Sequence, residues 1–506
     1  MEAPETELKF AITEAGIAAL CKHPVFATPS GSDTLRSVYF DTPARDLRRK
    51  AFSLRVREVD GGFVQTLKRK GGASPVVRRE WETEVDSGLP QFSALARTPV
   101  STLLGRDIDK LTPVFTATVE RSRRLWVEGS NVVEVSLDRG EITAGDRREP
   151  ISELELELKS GDPKALFDLA DDLARWTPLR LSFESKADRG YQLALGAAVT
   201  PLKTEAGCVP AGASAPDALR EVGWSCLGQV AVNVELLRRH RSIEALHQAR
   251  VGLRRFRAGL TLFRPMAAGN GFTEIRADTK WLATELDAAR NLDVFIQETL
   301  QPAKVAVEHR AGGGKLGSRL LAAQTHAYER ALAAVDSARY AALLLNTARW
   351  LEIGDWTVST DSAQTRFRGQ GAAKFARPRL ARLHRKILKR GPKLASLDAP
   401  HLHRLRIKVK KLRYAAEFFA ECFGDKSGKS RRRFLNALKH LQQQLGRLND
   451  IAVARHLAAD LVPDRRSDAA SAARLIVGRR QAGATGTKKA ALRAFATLQS
   501  AKPFWP

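Results

Sequence analysis

Cysteine is scarce in this chain. Four are spread through 506 residues, at Cys21, Cys208, Cys226 and Cys422, with no CxxC pair among them. That spacing offers neither a disulfide framework nor a zinc site, so buried free thiols are expected. Long apolar runs are missing too: none reaches the roughly 18–20 residues that span a bilayer, and no membrane partner is expected. The opening residues, MEAPETELKF, are acidic and hold no apolar stretch of the kind a secretory signal needs, which points to the cytoplasm. Acids are missing locally. Residues 245–273 contain no Asp or Glu, and neither does HRLRIKVKKLRY, from His403 to Tyr414.

What is present is unevenly divided. The chain is too long for one ordinary core, so at least two domains are expected. Residues 1–200 carry 29 Lys and Arg against 31 Asp and Glu, whereas residues 201–506 carry 54 against 25. The whole positive excess of the chain therefore lies in the second part. A domain so basic implies a polyanionic partner, through counterion release and steering.

The texture changes at the same place. Before residue 200 come short alternating segments such as SVYFDT, FSLRVREV, GFVQTLKRK, NVVEVSLD and ISELELEL, separated by turns such as Asp60-Gly61-Gly62. Many short strands of this kind indicate an antiparallel sheet or barrel. One amphipathic helix is expected within residues 163–176. Residues 200–216, TPLKTEAGCVPAGASAP, read as a linker. Residues 217–500 read as helical. The fold class is thus α+β and multidomain, with a strand domain over 1–199 and a helical domain over 217–500.

Alternate residues of a strand share a face. Glu5, Glu7 and Lys9 project together; so do Arg55 with Arg57, and Thr66 with Lys68. Glu134, Ser136 and Asp138 oppose Val133, Val135 and Leu137, while Glu153, Glu155 and Glu157 oppose Leu154, Leu156 and Leu158. A solvent-facing polar side alternates in the same way. If the strands close with their polar faces inward, however, they line a lumen rich in both signs. Arg forks there suit phosphate oxygens, and carboxylates suit Mg²⁺ or Mn²⁺ bridging them.

Glu5-Thr-Glu7-Leu-Lys9 resembles the ExExK signature of the CYTH, or triphosphate tunnel metalloenzyme, superfamily. The LRVR pair, Lys68, Arg79 in RREWE, Arg121 and Arg123 in ERSRRLW, Glu134 and Asp138, ELELEL and Lys186 in SFESKADRGY follow in order. The resemblance covers residues 1 to about 197. It implies an eight-stranded tunnel that hydrolyses inorganic triphosphate with Mg²⁺ or Mn²⁺. Glu5, Glu7, Glu155 and Glu157 would hold metal or position water, Glu153 would extend that row, and Glu134 and Asp138 would assist. Lys9, Arg55, Arg57, Lys68, Arg79, Arg121, Arg123 and Lys186 would hold the phosphates.

The helical part repeats itself. His247, Arg250, Arg254, Arg255 and Arg257 align without gaps on His403, Arg406, Lys410, Lys411 and Arg413, an offset of 156 residues. Lys280 and Arg290 align on Lys439 and Asn449 at an offset of 159. This indicates two related halves, about 217–370 and 371–500. His247, Arg250, Arg254 and Arg257 fall within about 80° around a helix, and so do their counterparts. A solvated basic face normally interleaves acids, so these stripes suggest an external anion. The paired HxxR helices resemble a CHAD domain. That resemblance implies binding of inorganic polyphosphate by the thirteen positions His247, Arg250, Arg254, Arg255, Arg257, Lys280, Arg290, His403, Arg406, Lys410, Lys411, Arg413 and Lys439, with association with polyphosphate granules as a further expectation. Helix-packing roles for the two histidines stay open.

Rival readings keep the barrel and change the substrate to thiamine triphosphate, a nucleoside triphosphate or adenylyl cyclisation. Another makes the chain a non-catalytic binder of polyphosphate or nucleic acid. RNA readers interleave exposed aromatics for base stacking, whereas Phe256, Phe263, Tyr414, Phe418 and Phe419 fall mostly on the apolar side. The oligomeric state is not legible.

Overall fold

The computed structural model describes residues 2–27, 31–69, 74, 76–96, 98–196, 200–204, 207–301, 313–424, 428–462, 466–482 and 484–505. For residues 2–5, 77–79, 106, 313, 392–393, 461, 479–480 and 482 it describes the backbone alone. The chain divides into two compact units. One is Met1–Pro201 with Ser337–Ile353; the other is Leu202–Asp336 with Gly354–Pro506.

Among the described residues the first unit is built on nine strands: β1 Glu2–Ala11, β2 Ser32–Asp41, β3 Phe52–Val59, β4 Gly62–Arg69, β5 Val77–Val85, β6 Thr112–Glu128, β7 Asn131–Ala144, β8 Arg147–Ser160 and β9 Arg180–Leu181. They form one sheet in the order β5-β4-β3-β2-β6-β7-β8-β1-β9. The first five residues of β1 also pair with β5, which joins the two ends of the eight-strand series. Every described pairing among these strands is antiparallel. Positive φ at both Asp60 and Gly61 makes the β3–β4 connection a primed turn, whose twist matches that of the strands.

Alternation gives the sheet two unlike faces. Phe40, Leu54, Val56, Leu67 and Val85 on one face pack with Leu47, Leu95, Val100 and Leu104. Val133, Val135, Leu154 and Leu156 belong to this face and are fully buried, as are Leu166, Leu173 and nearly all of Phe167 in the helix Lys164–Leu173. The opposite face changes character along its length. At one end Phe115, Ala117, Val119, Ile142, Ala144 and Ile151 pack with Ala187 and Tyr191; farther along the same strands the residues are charged.

Ala187 and Tyr191 come from an inner helix, Lys186–Leu195, which opens with a Ser185–Asp188 capping box. Gly190 lets this helix approach the sheet. A Cβ there would lie 2.1 Å from the Phe115 ring. Gly190→Ala is therefore expected to destabilise the first unit by about 1–3 kcal/mol through overpacking, read as a lowered melting temperature of the full chain. An unshifted melt would show that the inner helix is not seated on Phe115.

A helix from far along the chain completes this unit. Ala338–Ile353 packs against β9 and Lys164–Leu173, and Arg349 donates to Asp171 and Asp168 at 2.6 Å each.

The second unit is helical. Its cationic segments are the helices Ile243–Ala267 and Ala399–Phe418. Leu246, Leu253, Phe256, Leu260 and Phe263 bury the apolar side of the first; Leu405, Val409, Leu412 and Phe418 bury that of the second. Gly252 permits close packing on Ala215–His240: a Cβ would meet the Cys226 carbonyl oxygen at 3.2 Å. Among the described residues, no helix is long and apolar enough to cross a membrane.

Candidate active site

Register assigns each charged side chain of the inner face. Glu7 on β1 lies opposite Glu157 on β8, and Glu157 opposite Glu134 on β7. One step along, Lys9 lies opposite Glu155 and Glu155 opposite Ser136; Asp138 then faces Glu153. These three strands make an acidic side. Beyond them in ring order come Arg121 and Arg123 on β6, Ser37 and Tyr39 on β2, Arg55 and Arg57 on β3, and Thr66 and Lys68 on β4. This side is cationic.

The buried part of the acidic side is densely paired. Lys186 Nζ lies 2.7 Å from Asp138, 2.6 Å from Glu153 and 2.8 Å from Glu155. Arg121 donates to both oxygens of Asp138 at 2.6 Å and to Glu155 at 2.5 Å, and Lys9 Nζ lies 2.8 Å from Glu155. Arg189, one turn beyond Lys186, donates to Glu153 at 2.9 Å and to Glu149 at 2.8 Å. Burial opposes ionisation here, but Lys186, Lys9 and Arg121 hold Glu155 well below the usual carboxylate range. Burial acts against the Lys186 ammonium as well, and Asp138, Glu153 and Glu155 outweigh it and raise its pKa.

Farther along the strands, Glu7, Glu157 and Glu134 form an outer row on three neighbouring strands. Directly opposed like charges destabilise a sheet unless a cation lies among them. Lys159, partly exposed, reaches Glu157 at 2.7 Å and Glu134 at 3.6 Å.

On the cationic side Arg57 donates to Ser37 Oγ at 3.0 Å. Burial, then the like charges of Arg55 and Arg121, push its pKa down to about 9. Arg55 lies 3.9 Å from Glu82, while Lys68 lies 2.5 Å from Glu80. Arg123 is more exposed and pairs with Asp33.

In the second unit, cations from both copies gather. Burial, then Arg254 and Arg406, push Lys410 down to about 6. Burial, then Arg290 and Arg254, push His247 down to about 4. Burial also lowers Arg250 to about 10, although it pairs with Asp287 and donates to the Leu286 carbonyl at 3.0 Å. Arg406 lies 4.0 Å from Asp450. Nε of Arg250, Arg254 and Arg406 is buried without a hydrogen-bond acceptor. Two stripes that were 156 residues apart thus form one cluster short of negative charge.

Residues 3–191 match the CYTH domain family and residues 221–459 match the CHAD domain family. The chain is a CYTH domain followed by a CHAD domain. An inorganic triphosphatase from Haemophilus influenzae is 33% identical over 171 residues, which is 31% of this chain and 46% of that protein. The match therefore spans about half of that relative. The CHAD domain of the plant Ricinus communis, solved by crystallography, is 30% identical. The likeness covers 60% of this chain and 98% of that one, with a TM-score of 0.52.

Within the CYTH domain the inner face gathers Glu7, Lys9, Arg55, Arg57, Lys68, Arg121, Glu134, Asp138, Glu153, Glu155 and Glu157 on neighbouring strands. The side chains of Glu5 and Arg79 lie outside the described residues. The backbone register pairs Glu5 with Arg78, the position in alternate step with Glu80 and Glu82, so Arg79 belongs to the other set. The physical reason is the two-residue period of a strand, in which a shift of one changes the face. Tyr39 and Arg189 were not singled out from sequence. Tyr39 sits in SVYFDT two residues from Ser37, and Arg189 follows Lys186 at helical spacing, which is the signal that could have found it.

Within the CHAD domain the structure gathers His247, Arg250, Arg254, Arg290, Arg406 and Lys410. Arg255 goes elsewhere. It is buried over the Phe418 ring and donates to the Thr204 carbonyl at 3.1 Å. Arg413 turns to Glu417 at 2.6 Å and Gln442 at 2.7 Å. Exposed His403 bonds Asn449 at 2.6 Å. Arg257 is exposed and acts on Lys411, and Lys280 and Lys439 are exposed.

Proposed function

We propose that the chain is a metal-dependent inorganic triphosphatase, converting triphosphate to diphosphate and phosphate, whose CHAD domain binds inorganic polyphosphate. The observation that carries this is the division of one inner face into a cationic side and a carboxylate row in register. Arg55, Arg57, Lys68 and Arg121 present donors suited to a phosphate chain. Glu7, Glu134 and Glu157, with Glu5 on the same strand, would hold Mg²⁺ or Mn²⁺. The fit rests on three carboxylates opposed across neighbouring strands, the donor set hard divalent ions prefer. The ion would supply neutralisation of charge developing on phosphate oxygens. The chain's own residues grip the phosphates, and the row offers carboxylate oxygens to an attacking water. The similarity to the inorganic triphosphatase of Haemophilus influenzae supports the same reading.

Full burial of Phe263, Phe418 and Phe419, and near-complete burial of Phe256 and Tyr414, removes these rings as base-stacking platforms. This favours polyphosphate over nucleic acid as the polyanion.

A phosphate-release panel across inorganic triphosphate, thiamine triphosphate, ATP and long polyphosphate tests the assignment. Triphosphate is expected to be turned over fastest, and only with Mg²⁺ or Mn²⁺. Turnover in excess chelator, or a preference for thiamine triphosphate or ATP, would reject it.

A further inference from the structure

Three carboxylate ligand atoms, one each from Asp138, Glu153 and Glu155, lie within 4.8 Å of one another, a grouping able to surround a cation. The position they converge on already holds one. Lys186 Nζ is within 2.6–2.8 Å of all three residues, and the side chain is 8% exposed. A divalent ion bonded to the same oxygens at about 2.0–2.2 Å would share the space of the ammonium and meet its like charge.

The surroundings fix the lysine there. Its backbone starts the inner helix, held by the Ser185–Asp188 capping box and by the close approach of Gly190 to Phe115. Charge around it is matched. Asp138, Glu149, Glu153 and Glu155 are paired with Lys9, Arg121, Lys186 and Arg189. Four carboxylates thus meet four cations. The outer row of Glu7, Glu134 and Glu157 lies one step farther along the same strands, where the partly exposed Lys159 reaches Glu134 and Glu157.

We propose that Lys186 is the resident cation of the inner triad, so that Asp138, Glu153 and Glu155 take no divalent ion and metal binding in the tunnel falls to the outer row. This rests on the metal-dependent reading above. Lys186 then acts as a positioning residue, holding Glu155 and Asp138 against Arg121 while the outer row handles the exchangeable ion.

Mn²⁺ titration of the full chain, read by electron paramagnetic resonance, tests this without turnover. Glu155→Gln is expected to leave the wild-type ion count unchanged. Lys186→Met is expected to raise that count by one, and Lys186→Met with Glu155→Gln to return it to the wild-type value. Lys186→Arg, which keeps the charge, is expected to stay at the wild-type value. A wild-type ion that is lost in Glu155→Gln would overturn the inference even if Lys186→Met failed to fold. A folded Lys186→Met chain with an unchanged count would overturn it as well. No ion in wild type but one in Lys186→Met would uphold the inner-site inference and reject the outer row.

Discussion

Arg57→Ala is expected to lower kcat/KM for inorganic triphosphate by about 10²–10³-fold, the usual loss when one preorganised donor to developing charge is removed. Arg57 is the group on the inner face whose charge is least well served by its neighbours. It is largely buried and gives one hydrogen bond to a neutral hydroxyl, that of Ser37. Burial and the adjacent Arg55 and Arg121 push its pKa down to about 9. A guanidinium held this way costs folding free energy that an anion would return. Two results should therefore diverge in Arg57→Met: turnover falls, while the melting temperature is unchanged or raised, as at sites that trade stability for function. Turnover within twofold of wild type would remove Arg57 from the phosphate site.

Much of this was legible because strand alternation and helical spacing are short-range rules. The rows Glu153–Glu155–Glu157 and Glu134–Ser136–Asp138 could be read directly, since residue types alternate against Val and Leu. What such rules omit is partners from distant sequence. Lys186 could be named as a phosphate ligand by its place in the chain. That its ammonium lies among three carboxylates depends on the inner helix packing across β6, β7 and β8, which no local pattern encodes. Arg255 shows the same limit from the other side. It sits in a run of cations, but the helix turns it inward beneath Phe418, one residue from Arg254 in the cluster. The helix Ala338–Ile353 reads as part of a helical domain, yet its packing places it with the strand unit.

The second large effect is expected in the CHAD domain. Replacing Arg250, Arg254, Arg406 and Lys410 together with Ala in the full chain should weaken polyphosphate binding by about 10³-fold or more, at about 1.5–3 kcal/mol for each charge-assisted hydrogen bond. The slope of log affinity against log salt should flatten by about one for each phosphate no longer gripped. Triphosphate turnover should stay within twofold, because these residues belong to the other domain. The cluster also fixes a pH dependence. Lys410 is pushed down to about 6 by burial, Arg254 and Arg406, so it is mostly neutral in the free protein at pH 7.5. A bound polyanion favours its protonated form, so binding takes up a proton. Affinity should then rise as pH falls from 8 towards 6, by up to about tenfold per unit, and flatten below that. Lys410→Arg, charged throughout, should remove this rise while keeping tight binding. A pH profile for Lys410→Arg that matches wild type would show that the proton is taken up elsewhere, and equal affinity in the fourfold variant would place the polyphosphate grip outside the two stripes.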